Sequence, residues 1–146
     1  MAGLNLCNLG VADYDEMLAL WQAAGLPVRA AGRDGREAFA RQMAQTCQRV
    51  VGARDGGGRL VGVVLLTHDG RKGWINRLAV DPAWRRRGVA QAIIAEAERW
   101  FAEDAGLEVW AALIEPGNRA SRAVVGRTGY QEYDLIYVSK RLRSDA

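Results

Sequence analysis

Residues 48–81, QRVVGARDGGGRLVGVVLLTHDGRKGWINRLAVD, constrain the fold more than any other stretch of this chain. They read as three apolar, β-branched strands joined at DGGG and at HDGRKG by Gly-rich hairpin turns. Strands that follow one another without intervening helices imply an antiparallel meander. The next segment changes period. Val89, Ile93, Ala97 and Trp100 or Phe101 recur on one face of a helix, while Glu96, Glu98 and Arg99 can face water. LEVWAALI is then a strand ended by PGN. A helix runs from Asn118 to about Arg127 and stops at Thr128-Gly129, and YQEYDLIYVSKRL alternates as a final strand. Ahead of the meander, LNLCNL is an opening strand. Asp13 caps a helix carrying Met17, Leu18 and Trp21, GLPVRAAGRDG is a loop, and a second short helix turns Phe39 and Met43 inward. The order is strand, two helices, three strands, helix, strand, helix, strand. Because a strand-helix-strand crossover makes its two strands parallel, the expectation is an α/β fold with a mixed, mostly antiparallel sheet flanked by about four helices.

The chain has 146 residues, within the range of one domain, so residues 1–146 are read as a single unit. No apolar run approaches the ~18 residues that would suggest a membrane span. The start, MAGLNLCNLGVADYDE, lacks the basic region and apolar core of a secretory signal, which points to a cytoplasmic protein with no membrane partner. Cys7 and Cys47 show neither metal-ligand spacing nor a disulfide framework and read as small buried hydrophobes. His68 is the single histidine, which argues against a histidine-based metal site and against Ser-His-Asp catalysis. The net charge of +3 is small and clusters at Arg85 to Arg87 and at Lys140, Arg141 and Arg143. That balance suits a compact anionic ligand better than a long nucleic-acid groove.

The arginine cluster stands at a specific place. In VDPAWRRRGVAQAIIAEAERW, residues 80–100, Arg85, Arg86, Arg87 and Gly88 immediately precede the amphipathic helix. A helix leaves its first N–H groups unpaired and carries partial positive charge at that end, so an anion is favoured there. Gly88 lets a bulky phosphate approach the backbone, and the small Ala90 nearly does the same. The arginines add charge-assisted hydrogen bonds. Without a ligand, three cations would oppose the helix dipole at about 0.3–1 kcal/mol each. No stretch reads GxxxxGK[ST], and no strand leads into GxGxxG. The expectation is a phosphate or pyrophosphate site of another kind.

LAVDPAWRRRGVAQAII resembles the acyl-CoA motif of the GNAT superfamily of N-acyltransferases, a strand ending in V-x-P followed by [QR]-x-x-G-x-[GA] opening a helix. Arg85, Gly88 and Ala90 fill the three fixed positions. A second signature follows at the expected separation: Asn118 after the next strand, then a helix ending in Gly129-Tyr130. The resemblance extends along nearly the whole chain. It implies that backbone N–H groups from about Arg86 through Gly88 and Val89 to Ala90 hold the pyrophosphate of acetyl-CoA. It also implies that the strand around Leu78 to Val80 splays from its neighbour and bonds the pantetheine arm, with the thioester in the gap beside the acceptor amine. Asn118 would contact the arm from the other side, or serve as a helix N-cap, for which Asn is equally suited.

Acyl transfer to an amine requires a neutral amine, stabilisation of the oxyanion and a proton for the departing thiolate. Many family members place a tyrosine four residues before the Gly-aromatic pair; here that position is Val125. Tyr133 and Tyr137 share one face of the final strand and are replacements or packing groups. A thiol with a pKa near 8.5 also leaves without obligatory protonation. Glu115, at the end of the strand before Asn118, is the candidate base or an exposed strand-end carboxylate. Asn76 can position a water, whereas His68 and Asp69 are turn residues.

By the same resemblance, the acceptor side is lined by residues between Trp21 and Arg36, by Arg71 to Trp74, and by Tyr133. Trp21 and Trp74 read equally as core. Arg29, Arg33 and Arg36 would attract an acidic acceptor. The implied activity is N-acetyl transfer from acetyl-CoA to a primary amine of a small molecule or of a protein or peptide. A catalytically weak acyl-CoA-binding module is the alternative, and a homodimer is left open. Nucleic acid is disfavoured because the basic residues are not interleaved with aromatics along a strand.

Overall fold

The computed structural model describes residues 3–146. In chain order its elements are β1 (Asn5–Leu9), α1 (Tyr14–Ala23), α2 (Arg36–Met43), β2 (Gln48–Arg54), β3 (Leu60–His68), β4 (Gly73–Val80), α3 (Val89–Arg99), β5 (Trp110–Ala112) and α4 (Arg119–Arg127). Short 3-10 turns lie at Val11–Asp13 and Pro82–Trp84, and a π turn at Trp100–Asp104 prolongs α3. The five strands form one sheet in sequence order. Strands β1 to β4 are antiparallel, and β5 pairs parallel with β4 through the α3 crossover. No helix among the described residues is long and apolar enough to cross a membrane.

Both faces of the sheet are covered, which is why β3 reads as a nearly unbroken apolar run. On one face Met17, Leu20 and Trp21 of α1 and Phe39 of α2 bury against Leu9, Val50, Leu60, Val63 and Ala79. On the other, Val89, Ile93, Ala97 and Phe101 pack on Val51, Ala53, Val61, Val64, Leu66 and Ile75. The helical spacing seen in the sequence is the packing stripe of α3. Glu96 and Glu98 are half-buried, not simply solvated. Glu96 takes a hydrogen bond from Arg99 that, with a second from Arg49, holds its carboxyl down to about 2 against the opposing effect of burial. Cys7 and Cys47 are half-buried and unpaired.

Helix α3 approaches β3 closely because Gly62 has no side chain. A Cβ there would lie 2.7 Å from both Ile93 Cδ1 and Val89 Cγ1. Gly62→Val is expected to destabilise the protein by about 1–3 kcal/mol, the usual effect of forcing extra methyls into a packed core. Urea unfolding at neutral pH measures this, and an unchanged midpoint would mean that α3 has room to move away.

Two expectations need correction. LEVWAALI was expected to be strand throughout, but only Trp110–Ala112 pair, with Gly73–Ile75 at the start of β4. Beyond that point β4 has no strand neighbour on this side among the described residues, and Leu113 is 61% exposed. YQEYDLIYVSKRL was expected to form a final strand, and residues 131–142 instead carry no strand pairing and are exposed throughout. A strand needs a partner edge, and β5 ends too early to supply a long one within this chain.

Candidate active site

The early end of the β4–β5 pairing leaves residues 76–80 of β4 beside a gap, as the resemblance implies for a splayed pair. Leu78 and Val80 are half-buried there and pack against the α3 side of the core. Strand β4 is also bulged. Its register with β3 shifts between Val63 and Leu65, opposite Arg77, whose φ of 56° is left-handed. Holding a non-glycine residue there costs on the order of 1–2 kcal/mol, which the surrounding packing must supply.

Asp81 fixes the exit from β4. It is 7% exposed, its N–H donates to Val61 O at 2.8 Å, and its carboxylate accepts from Ala83 N at 2.8 Å and pairs with Arg59. Pro82 then opens the 3-10 turn. After it, Arg86 at φ 61° and Gly88 at φ 79° both adopt left-handed conformations on either side of Arg87. Alternating backbone handedness of this kind turns successive N–H groups toward one concavity, a geometry that binds anions. The first bond of α3 to its N-cap is Ala92 N to Gly88 O at 3.0 Å. Among the described residues, the N–H groups of 85–91 have no protein acceptor.

Arg85, Arg86 and Arg87 are exposed, and none pairs with a carboxylate among the described residues. Arg87 lies over the Trp84 ring at 4.9 Å, a stacking contact that steadies its guanidinium beside the turn. Unsatisfied N–H donors, the positive end of α3 and three free cations thus meet at one turn, where a pyrophosphate fits on chemical grounds.

Asn118 is the N-cap of α4. Its Oδ1 accepts from Ser121 N at 3.1 Å, so the capping alternative is realised and only its Nδ2 remains to donate elsewhere. Val125 is half-buried on α4, where it offers no proton. Tyr130 closes this region as a pin that sequence reasoning recorded only as part of a motif. Its hydroxyl donates to Glu98 at 3.3 Å, beside the Trp110 Nε1 bond to the same carboxylate. Burial, reinforced by the Glu98 charge, pushes the Tyr130 hydroxyl well above the ordinary tyrosine range, so it stays protonated.

The proposed acid and base are not gathered into a cluster. Glu115 is exposed, and its carboxylate makes no hydrogen bond or ion pair among the described residues; its carbonyl accepts from Asn118 N at 2.9 Å. Tyr133 is 73% exposed and donates to Gln131 Oε1, and Tyr137 is 70% exposed. Asn76 is engaged by Thr67 Oγ1 at 3.1 Å and by the Trp74 carbonyl at 3.3 Å. His68 and Asp69 bind the backbone of their own turn.

On the acceptor side, Trp21 is core at 1% exposure, and Trp74 is half-buried under Lys72. Arg36 pairs with Asp15 and covers the Tyr14 ring. Arg77, which sequence reasoning missed, lies 4.6 Å over the Trp21 ring and 3.6 Å from Asp34, a residue 8% exposed. Burial pulls its guanidinium below the usual arginine value, with Asp34 opposing. The signal available was an arginine, next to Asn76, inside a mostly apolar strand.

Comparison with known proteins gives concordant results. The model of the acetyltransferase (GNAT) family matches residues 14–130. Among solved structures, the aminoglycoside acetyltransferase AAC(6')-Iy, in complex with the bisubstrate analog CoA-S-monomethyl-acetylneamine, is similar at TM-score 0.77 and 21% identity over 96% of this chain and 99% of that one. AAC(6')-Ih from Acinetobacter baumannii, an aminoglycoside 6'-N-acetyltransferase, is similar at 0.76 and 16% over 97% and 100%. PaiA N-acetyltransferase from Thermoplasma acidophilum, in complex with coenzyme A, is similar at 0.78 and 13% over 91% and 92%.

Proposed function

The chain belongs to the GNAT acetyltransferase family, and from that premise we propose that its acyl acceptor is the primary amine of a small molecule and that acetyl-CoA docks at the 85–91 turn. The observation that carries the proposal is the run of unpaired N–H groups over residues 85–91 beneath three unpaired arginines. Similar folds in aminoglycoside acetyltransferases support the small-molecule reading of the acceptor. The similar fold of a CoA-bound N-acetyltransferase supports the donor.

Acetyl-CoA supplies the activated acyl group, and the chain supplies positioning. N–H groups from Arg86 to Ala90 bind the pyrophosphate, and Arg85, Arg86 and Arg87 neutralise it. Backbone groups of Leu78 and Val80, free of β5, pair with the amides of the pantetheine arm, and Asn118 donates from its uncommitted Nδ2. The thioester then lies in the gap beyond Ile75, where an amine entering from the α1 side reaches it. Glu115 is the proposed base, and a water relays the proton to the departing sulfur in place of a tyrosine at position 125.

Acetyl-CoA at a hundredfold excess over its dissociation constant is expected to stabilise the fold by about 2.7 kcal/mol, read as a rise in the thermal midpoint. CoA release measured across free amino acids, polyamines, aminoglycosides and peptides then identifies the acceptor. Absence of a thermal shift at saturation would overturn the donor site. Turnover confined to peptides would overturn the acceptor class.

If a water carries the leaving-group proton, neither exposed tyrosine dominates turnover. Tyr133→Phe and Tyr137→Phe are each expected to lower kcat by less than about tenfold, a barrier change under about 1.4 kcal/mol. A much larger loss at either position would identify a relocated acid.

A further inference from the structure

Arg77 is the one charged residue of β4, and the bulge decides which way it points. Between the pairs Val63–Ala79 and Leu65–Asn76, Val64 alone opposes Arg77 and Leu78. An extra residue of this kind re-aims the side chains beside it. Asn76 shares a face with its partner Leu65, which packs on the α1 side of the sheet. Arg77 follows onto that same face, over the Trp21 ring of α1, and Leu78 returns to the α3 side. Two consecutive polar residues therefore face α1 at the point where β4 loses its β5 neighbour.

The guanidinium is left unsatisfied there. Arg77 Nε and Nη2 are enclosed and donate to nothing among the described residues, and the enclosed Trp21 Nε1 is in the same state. Asp34 stands 3.6 Å from Nη2, and its Oδ2 already accepts from Arg29 N at 2.7 Å. Exposed Arg33 adds a second positive charge that acts on Arg77 against Asp34. The surplus on this face is of N–H donors and positive charge. Enclosed donors are costly to leave unpaired, so what the face lacks is an anionic acceptor. Nη1 is the guanidinium nitrogen that is not enclosed, and such a group arrives at it. Next in sequence, Asn76 commits its Nδ2 to Thr67 Oγ1 and the Trp74 carbonyl, which leaves its Oδ1 without a donor among the described residues.

We propose that the acceptor carries a carboxylate beside its amine, as an amino acid does, and that Arg77 binds the carboxylate while Asn76 Oδ1 accepts an N–H of the amine. The inference rests on the small-molecule acceptor reading and narrows it. Of the cations the sequence offers to an acidic acceptor, Arg36 is spent on Asp15 and the Tyr14 ring. Arg77 takes that role from inside the sheet, and Arg33 adds to the field. A carboxylate paired with a guanidinium gains charge-assisted hydrogen bonds. The pairing also acts on the amine. A carboxylate neutralised by Arg77 no longer holds the neighbouring ammonium in its charged form, which eases the proton loss that attack requires. A polycationic acceptor would meet two positive charges instead.

Steady-state CoA release with free amino acids and with the matching carboxamides, each kcat/KM referred to the deprotonated amine, tests it. The wild-type chain is expected to favour the carboxylates by about tenfold or more. Arg77→Asn removes the cation with a residue that tolerates the left-handed backbone at this position. It should bring the ratio to about one, mainly through KM, with folding checked by circular dichroism. Arg77→Lys keeps the charge without the planar fork and should keep part of the preference. The wild-type ratio tests the proposal by itself where a variant does not fold. Carboxamides or aminoglycosides used as well as the carboxylates by the wild-type chain would overturn the inference and leave the small-molecule reading standing. A carboxylate preference that persists in folded Arg77→Asn would do the same. Turnover confined to peptides would overturn both.

Discussion

Gly88→Asp is expected to weaken acetyl-CoA binding by about a thousandfold, and Gly88→Ala by about tenfold, in isothermal titration calorimetry. Gly88 stands at φ 79° as the N-cap of α3. A Cβ in the left-handed region costs about 1–2 kcal/mol. The turn relieves that cost only by rotating away and scattering the N–H groups of its neighbours. That is the tenfold loss expected of Gly88→Ala; in Gly88→Asp, which tolerates the left-handed backbone, the charge dominates. Asp adds a negative charge where the pyrophosphate is proposed to bind, and at 4 Å with an effective dielectric near 20 the repulsion is about 4 kcal/mol. Asp also adopts left-handed backbone more readily than most residues, so the variant keeps its fold and circular dichroism separates binding from unfolding. Unchanged affinity in the folded variant would place the cofactor elsewhere.

The parts of this molecule legible in the sequence are those set by local chemistry. The two Gly-rich hairpins, the apolar stripe of α3 and the cap at Asn118 are short-range patterns, and each appears where its residues put it. The turn at 85–88 was legible as a candidate anion site because arginines against a helix dipole make little sense without an anion. The left-handed backbone at Arg86 and Arg77 was not, since no local rule marks arginine for that conformation.

The failures lie where pairing is non-local. Residues 107–114 and 130–142 carry good strand periodicity, but periodicity reports what a segment would bury, not whether an edge waits for it. Among the described residues only Trp110–Ala112 find one, because the β4–β5 pairing ends at Ile75. Ion pairing was equally invisible. Glu96 looked solvated by its place on the helical wheel, and it is drawn inward by Arg49, 47 residues earlier in the chain.

The surroundings of the proposed base lead to a sharp expectation about the acceptor. Glu115 is exposed and unpaired, Val125 replaces the usual tyrosine, and His68 is spent on its hairpin. A lysine-type amine with pKa near 10.4 must lose a proton at a cost of about 4 kcal/mol to be neutral at pH 7.4, whereas an α-amino group near 7.7–8.0 costs well under 1 kcal/mol. With no strong base to bear that difference, α-amines are expected to exceed ε-amines of similar size in kcat/KM by about a hundredfold or more near neutrality. The sign of the pH dependence follows. Only the deprotonated amine attacks, so kcat/KM rises with pH and levels off once the pH passes the acceptor pKa. Glu115→Gln separates the two sources of neutral amine. If Glu115 accepts the proton, the variant loses most activity near neutral pH and recovers much of it at high pH, where solvent has already deprotonated the acceptor. Strong preference for lysine side chains at neutral pH with Glu115→Gln fully active would remove Glu115 from the reaction and require a base on another element of the gap.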